Sequence, residues 1–194
     1  MRLCSYVVTN DMGLAPNPFW GYCTLAICAP NHQGIRAEKG DWFIGFSPAS
    51  RGNKLIFAME VSEILDFDDY YRDPRFIKKR PKIRGSWCEQ CGDNMYFMNE
   101  DGQWEQERTI YHHKREQIEQ DTKHPIVFIG EHFYYFGEMA ITLPDEFRDI
   151  IRRGRGVKCN FDGPLVERFL NWLQQEYRPG IHGLPQDRSS NKSC

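Results

Sequence analysis

Along the first two-thirds of the chain, apolar and polar positions form short strand-like runs between loops, and the last third turns helical. Leu3–Thr9 is β-branched and aromatic and predicts a strand, which the polar Asn10-Asp11-Met12-Gly13 brings to an end. Leu14–Gly21 carries Pro16 and Pro18 and closes on a glycine, so a structured but irregular loop is expected directly after that strand. Cys23–Ala29 is a short apolar run whose type the pattern leaves open. Trp42–Phe46 predicts a strand, Ser47–Lys54 a loop, and Leu55–Leu65 one long strand. Asp66 suits the N-cap of a short helix over Phe67–Tyr71, with Pro74 ending it. Trp87–Met98 and Gln103–Tyr111 predict strands on either side of an Asp101-Gly102 turn. Lys114–Lys123 reads as helical, and Pro125–Phe136 as two strands meeting near Gly130-Glu131. Pro144 opens a helix reaching Ile151. Asp162 and Pro164 start another, with Leu165, Phe169, Leu170, Trp172 and Leu173 as its apolar set. The expectation is an α+β fold: a curled, mostly antiparallel sheet or barrel with C-terminal helices, one domain over 1–178, and a loose tail over 179–194.

Composition narrows the function classes. The 194 residues are 40% hydrophobic and 14% aromatic, enough for a proper core, which excludes disorder throughout. No apolar run is long enough to span a bilayer, and the first residues lack the pattern of a secretory signal, so the cytoplasm is the expected compartment. Seven cysteines without an export signal predict reduced thiols. Cys88 and Cys91 form a lone CxxC with no second ligand pair at a suitable distance, so zinc is not expected, nor any other cofactor. Gly-rich phosphate loops, a Gly-x-Ser-x-Gly elbow and a His-Glu-x-x-His pair are absent, which removes the usual support for NTPase, serine hydrolase and zinc protease readings.

Charge changes the picture locally. The net charge is −2, so global attraction to nucleic acid is not indicated. The segment Arg72–Arg84 nevertheless carries six excess positive charges in thirteen residues. Arg75, Lys78, Lys79, Arg80, Lys82 and Arg84 are the expected phosphate contacts, and Arg153 and Arg155, flanked by Arg152 and Lys158, form a second cluster. The competing reading is a solvated face balanced by Glu60, Glu63, Asp66, Asp68 and Asp69.

Several blocks resemble the nucleotide modification associated domain 2 family. They are Tyr6-Val7-Val8-Thr9-Asn10-Asp11, Ala15-Pro16-Asn17-Pro18-Phe19, Gly40-Asp41-Trp42, Asp73-Pro74-Arg75-Phe76, Gly92-Asp93-Asn94-Met95-Tyr96, His132 to Gly137, Gly154-Arg155-Gly156 and Gly180-Ile181-His182-Gly183. They span nearly the whole chain, with Val157 standing where the pattern leads one to expect histidine. The resemblance implies a domain of modified-base DNA systems in prokaryotes and phages. Some members look like antiphage DNA glycosylases acting on hypermodified cytosine, such as its glucosylated hydroxymethyl form. The Gly40–Ile44 and Phe57–Val61 blocks are also similar to modified-base-binding barrels of the PUA and EVE type.

Under that implication, cleaving an N-glycosidic bond calls for a carboxylate or polarised water beside the sugar, and for aromatic or apolar walls around an extruded base. In the loop after the first strand, Asp11 is the candidate electrostatic or water-activating group and Asn10 its helper. Asn17, Phe19 and Trp20 are candidates for holding the base. Asp93 is a second candidate carboxylate, with Asn94, Tyr96 and His112 as substrate contacts. The bland alternatives are ordinary Asx-turns at Asn10-Asp11 and Asp93-Asn94 and a solvated or core histidine at 112. Tyr134 and Tyr135 point to opposite faces of a regular strand, so only one can reach a pocket. A monofunctional enzyme acting on DNA and needing no obligate protein partner is expected, and a non-catalytic reader of modified bases is the alternative.

Overall fold

The computed structural model describes residues 1–27, 35–110, 115–154 and 156–188, and the side chains of 115–117 are not part of that description. In chain order the strands and helices are β1 (Leu3–Val7), β2 (Cys23–Leu25), β3 (Trp42–Phe46), β4 (Leu55–Glu60), β5 (Glu63–Asp66), α1 (Phe67–Arg72), α2 (Trp87–Gln90), β6 (Tyr96–Met98) and β7 (Trp104–Gln106). They continue with α3 (Arg115–Asp121), β8 (Ile126–Gly130), β9 (Phe133–Tyr135), α4 (Gly163–Glu176) and β10 (Gly180–Ile181). The α+β expectation holds, with the strands in open sheets that do not close into a barrel. The larger sheet runs β1-β3-β4-β9-β10, a second runs β2-β8-β5, and β6-β7 form a hairpin. Pairing is antiparallel except for β1 on β3 and β10 on β9.

Side-chain alternation builds the layers. From the large sheet, Leu3, Trp42, Ile44, Ala58, Tyr134 and Phe136 point to one face and pack with Val166, Phe169, Leu170 and Leu173 of α4. Cys4, Tyr6, Phe43, Phe57, Met59, Phe133 and Tyr135 point to the other face and meet Cys23, Leu25 and Phe128 of the second sheet. The far side of that sheet, Val127 and Ile129, packs on Phe67, Tyr70, Phe76 and Tyr96. Both sheets are therefore covered on both faces over their central strands, with β5 and β10 as partly exposed edges, and β2 and β8 lie between two apolar clusters.

Four local expectations change. Leu55–Leu65 is two strands, because Val61-Ser62 breaks the run and sends β5 to the second sheet. Trp87–Gln90 is a helical turn rather than a strand, nucleated by a capping box between Ser86 and Glu89. The helix after Pro144 is 3-10, over Asp145–Ile150. Residues 180–188 are docked rather than loose: β10 pairs with β9, and Leu184–Arg188 crosses the loop after β1. The thiol expectation is also corrected, since Cys4 and Cys159 form a disulfide joining β1 to the segment before α4. Cys23, Cys88 and Cys91 are free. Among the described residues no helix is long and apolar enough to cross a membrane.

Candidate functional site

The loop after β1 owes its shape to its prolines, to a cis Ala15–Pro16 peptide and to Trp20, whose φ of 59° is unusual for a bulky residue and leads into Gly21 at 86°. The loop folds back beneath the large sheet, and an isolated bridge between Asn17 and Thr24 ties it to β2. As a result Asp11 is 1% exposed. Its carboxylate accepts the Tyr135 hydroxyl at 2.5 Å and the Gln186 N–H at 3.1 Å. Burial raises its pKa to about 6; the bonds from Tyr135 and Gln186 oppose that rise, and the nearby Asp187 carboxylate adds to it. Tyr135 points to this face and Tyr134 to the opposite one, as alternation in β9 requires.

A strap made of residues 184–188 covers Asp11. The Asp11 N–H donates to Asp187 Oδ2, and the Asp187 N–H returns a bond to the Asp11 carbonyl, both at 2.9 Å. Arg51 grips Asp187 through both of its terminal nitrogens and also reaches Gln186 Oε1. Pro185 lies so close to Gly13 that a Cβ there would come within 3.0 Å of its ring, and Gly13 also has φ of 78°. That glycine is the condition for the strap to seat.

Asp93 lies in a second buried polar group on the other side of β2. Its carboxylate accepts Thr24 Oγ1 at 2.5 Å and the Tyr70 hydroxyl at 2.9 Å. Thr24 Oγ1 in turn accepts from Lys79 Nζ at 3.0 Å. Lys79 is 1% exposed, and its ammonium also donates to the carbonyls of Asn17 and Tyr22 and to Asn17 Oδ1. Burial lowers its pKa to about 8, with the Asp93 charge working against the drop. Burial raises the Asp93 pKa, and Lys79, Thr24 and Tyr70 hold it back. Gly92 permits the approach, because a Cβ there would lie 2.4 Å from the Lys79 carbonyl oxygen. Cys23 is fully buried in the apolar layer between the sheets: burial drives its thiol pKa far up, Lys79 lowers it, and both Asp93 and Asp11 add to the rise.

The remaining candidates scatter. Asn17 is buried and internal, donating to the Cys91 carbonyl while accepting from Lys79. Phe19 is buried with edge contacts to Trp20 and Trp87, and Trp20 is half-buried beside it. Asn10 is half-buried. Asn94 and Tyr96 are corrected from substrate contacts to core residues. Asn94 Nδ2 ties the carbonyls of Tyr70 and Phe76, and Tyr96 stacks on Phe67 with its hydroxyl on Asp121. His112 and Arg155 lie outside the described residues. Among the described residues no group of three or more His, Cys, Asp or Glu side chains is placed to hold a metal ion.

The basic run is not the continuous cationic face its composition implies. Lys79 is corrected from phosphate contact to interior cation. Arg75 is doubly engaged by Glu63 and Asp73, Arg72 pairs with Asp68, and Lys82 pairs with Glu89. Arg80 lies over the Tyr71 ring at 3.7 Å and donates to its carbonyl. Lys78 and Arg84 of this run stand exposed without a side-chain partner among the described residues. Sequence reasoning missed Thr24, Tyr70, Gln186, Asp187 and Arg51. The one available signal was that Tyr135 had to differ from Tyr134 in facing.

A family model described as nucleotide modification associated domain 2 matches residues 1–192. No curated protein and no solved structure matches the chain.

Proposed function

The chain belongs to the nucleotide modification associated domain 2 family, and from that premise we propose that it is a monofunctional DNA glycosylase-type enzyme that removes a modified, cytosine-derived base and leaves an abasic site. The observation that carries the proposal is Asp11: a carboxylate buried at the end of β1, with a pKa near 6, directed by the Tyr135 phenol. Burial of an acid without a cation in contact is costly, and such groups concentrate where chemistry is done. Near neutral pH Asp11 is largely ionised, so it can offset the positive charge that develops on the sugar as the base departs, or orient the attacking water. Tyr135 fixes its direction. The Asp93–Thr24–Lys79 group stands behind it as a rigid support rather than a second reacting carboxylate, because all its polar contacts are internal. A sugar reaches Asp11 only when the Gln186–Asp187 turn lifts, since the Gln186 N–H occupies the carboxylate. The biological setting of this reading is defence against phages whose DNA carries glucosylated hydroxymethylcytosine.

The test is incubation with unmodified, hydroxymethylated and glucosylated DNA, scored for released base and alkali-labile sites. Product from a modified substrate, lost in Asp11→Asn with DNA affinity retained, is the expected result. Bound modified DNA with no release in the wild type would make the protein a reader of modified bases instead.

A further inference from the structure

The second basic cluster behaves differently from the first. Arg2, Arg152, Val157, Lys158, Cys159 and Asn160 line a groove of about 640 Å³. Three of these six residues are cations and none is an acid. Asp41, the partner of Arg2, is nearly buried behind it, whereas the Arg2 side chain remains 48% exposed. Lys158 is fixed by its surroundings: its backbone exchanges two hydrogen bonds with Ser5 of β1 at 2.9 and 3.0 Å, and its ammonium lies 4.5 Å from the Phe161 ring centre. The neighbouring Cys159 is bonded to Cys4. The segment thus covers the free edge of β1 and carries its cations at set positions, which lowers the ordering cost of binding an anion. Asn160 is exposed at the same wall and offers an amide donor. The strand flanking the groove is also the one that leads to Asp11. Five residues of β1 cover about 16 Å at ~3.3 Å each, roughly five steps of a duplex at ~3.4 Å.

We propose that this groove is the track for the sugar–phosphate backbone of bound nucleic acid, and that the Cys4–Cys159 bond holds its cations in place. The proposal deepens the reading of the protein as DNA-acting and assigns the backbone grip to Arg2, Arg152, Lys158 and Asn160 rather than to the 72–84 run. A repeating chain of phosphates suits a groove longer than one anion, with fixed cations and an amide donor along it. Reduction opens the bond in a balanced exchange: a dithiol such as dithiothreitol passes two electrons and two protons to the Cys4 and Cys159 sulfurs and is itself oxidised to a cyclic disulfide. The segment then keeps its two backbone bonds to Ser5 and the packing of Val157 on the core, without the covalent tie.

The test measures affinity for an unmodified duplex oligonucleotide over a salt series, using the full chain with Asp11→Asn so that base release plays no part. Arg152→Glu with Lys158→Glu is expected to weaken binding by at least about tenfold and to lower the slope of log affinity against log salt by about 2. Lys78→Glu with Arg84→Glu is expected to change affinity less than about twofold. The reverse ranking, or no change in the first pair, would overturn the assignment. Inorganic phosphate titrated in parallel separates a free-anion site from a backbone track: saturation by phosphate with no duplex binding would overturn the proposal. Treatment with dithiothreitol, and Cys159→Ser, are each expected to weaken duplex binding several-fold, with re-oxidation restoring only the former. Unchanged affinity in both arms would refute the role of the bond. Loss of duplex binding in these variants stands whether or not the wild type releases a base.

Discussion

Asp11 and Asp93 are equally buried, each 1% exposed, yet they occupy opposite electrical settings. Asp93 is enclosed by core residues and answered by Lys79 through Thr24, with Tyr70 on its other oxygen. Asp11 has a phenol and a backbone amide, the Arg51 guanidinium acts on it only from beyond Asp187, and its cover is a strap held from outside by exposed ion pairs. The difference separates an acid enclosed by the core from the one to which the proposed chemistry is assigned. The first is locked from all sides; the second can change protonation near neutral pH and is one turn of backbone away from solvent.

The largest effect expected on this comparison comes from Lys79→Met. It strips the internal cation from Asp93 and Asn17, and an uncompensated buried charge costs about 3–5 kcal/mol, to be read from urea unfolding at neutral pH. A near-neutral result would show that Asp93 does not depend on Lys79. Next is the pH dependence of Asp11. The folded state keeps its proton until about pH 6, whereas the unfolded chain releases it near 3.8. The stabilisation from that proton is complete below 3.8 and lost as pH rises through 6. Across that window wild type should lose roughly 3 kcal/mol relative to Asp11→Asn, with the difference flat at higher pH, as measured by denaturant unfolding at a series of pH values. If the glycosylase proposal holds, base release should fall in the same window as Asp11 protonates. Arg51→Ala comes third. It removes the outside grip on Asp187, an exposed pairing expected to contribute about 1 kcal/mol or less, and hydrogen exchange at the Gln186 amide should quicken more than at core amides. Smallest is Lys78→Ala, which neighbours Lys79 in sequence but stands in solvent and should shift stability by no more than about 0.5 kcal/mol. A large effect there would dissolve the contrast between the two lysines.

Much of the framework was legible. The strand at Leu3, the loop forced by Pro16 and Pro18, the Asp66 and Asp162 caps and the split facing of Tyr134 and Tyr135 each follow from local rules, because turn chemistry, capping and alternation act within a few residues. Asp11 was singled out, but its cover was not, since Gln186 and Asp187 lie some 175 positions away and their polarity alone argues for a loose end. The basic run misled for a similar reason. Seven cations in a row of thirteen look alike on paper, and only folding brought Glu63, Asp68 and Glu89 onto three of them and enclosed Lys79. The Cys4–Cys159 bond has no local signature, as nothing about two isolated cysteines 155 residues apart predicts their meeting.

What the sequence by itself determined was the set of elements, the α+β class and the family, because these rest on periodicity, backbone sterics and blocks of residues in fixed order. Which charges stay in water, which acid has its cation behind a single hydroxyl and which has it beyond a second carboxylate, and which cations meet acids were decided only when distant segments packed together. Solvation and Coulomb interaction depend on distance in space, and the chain's order does not encode that distance directly.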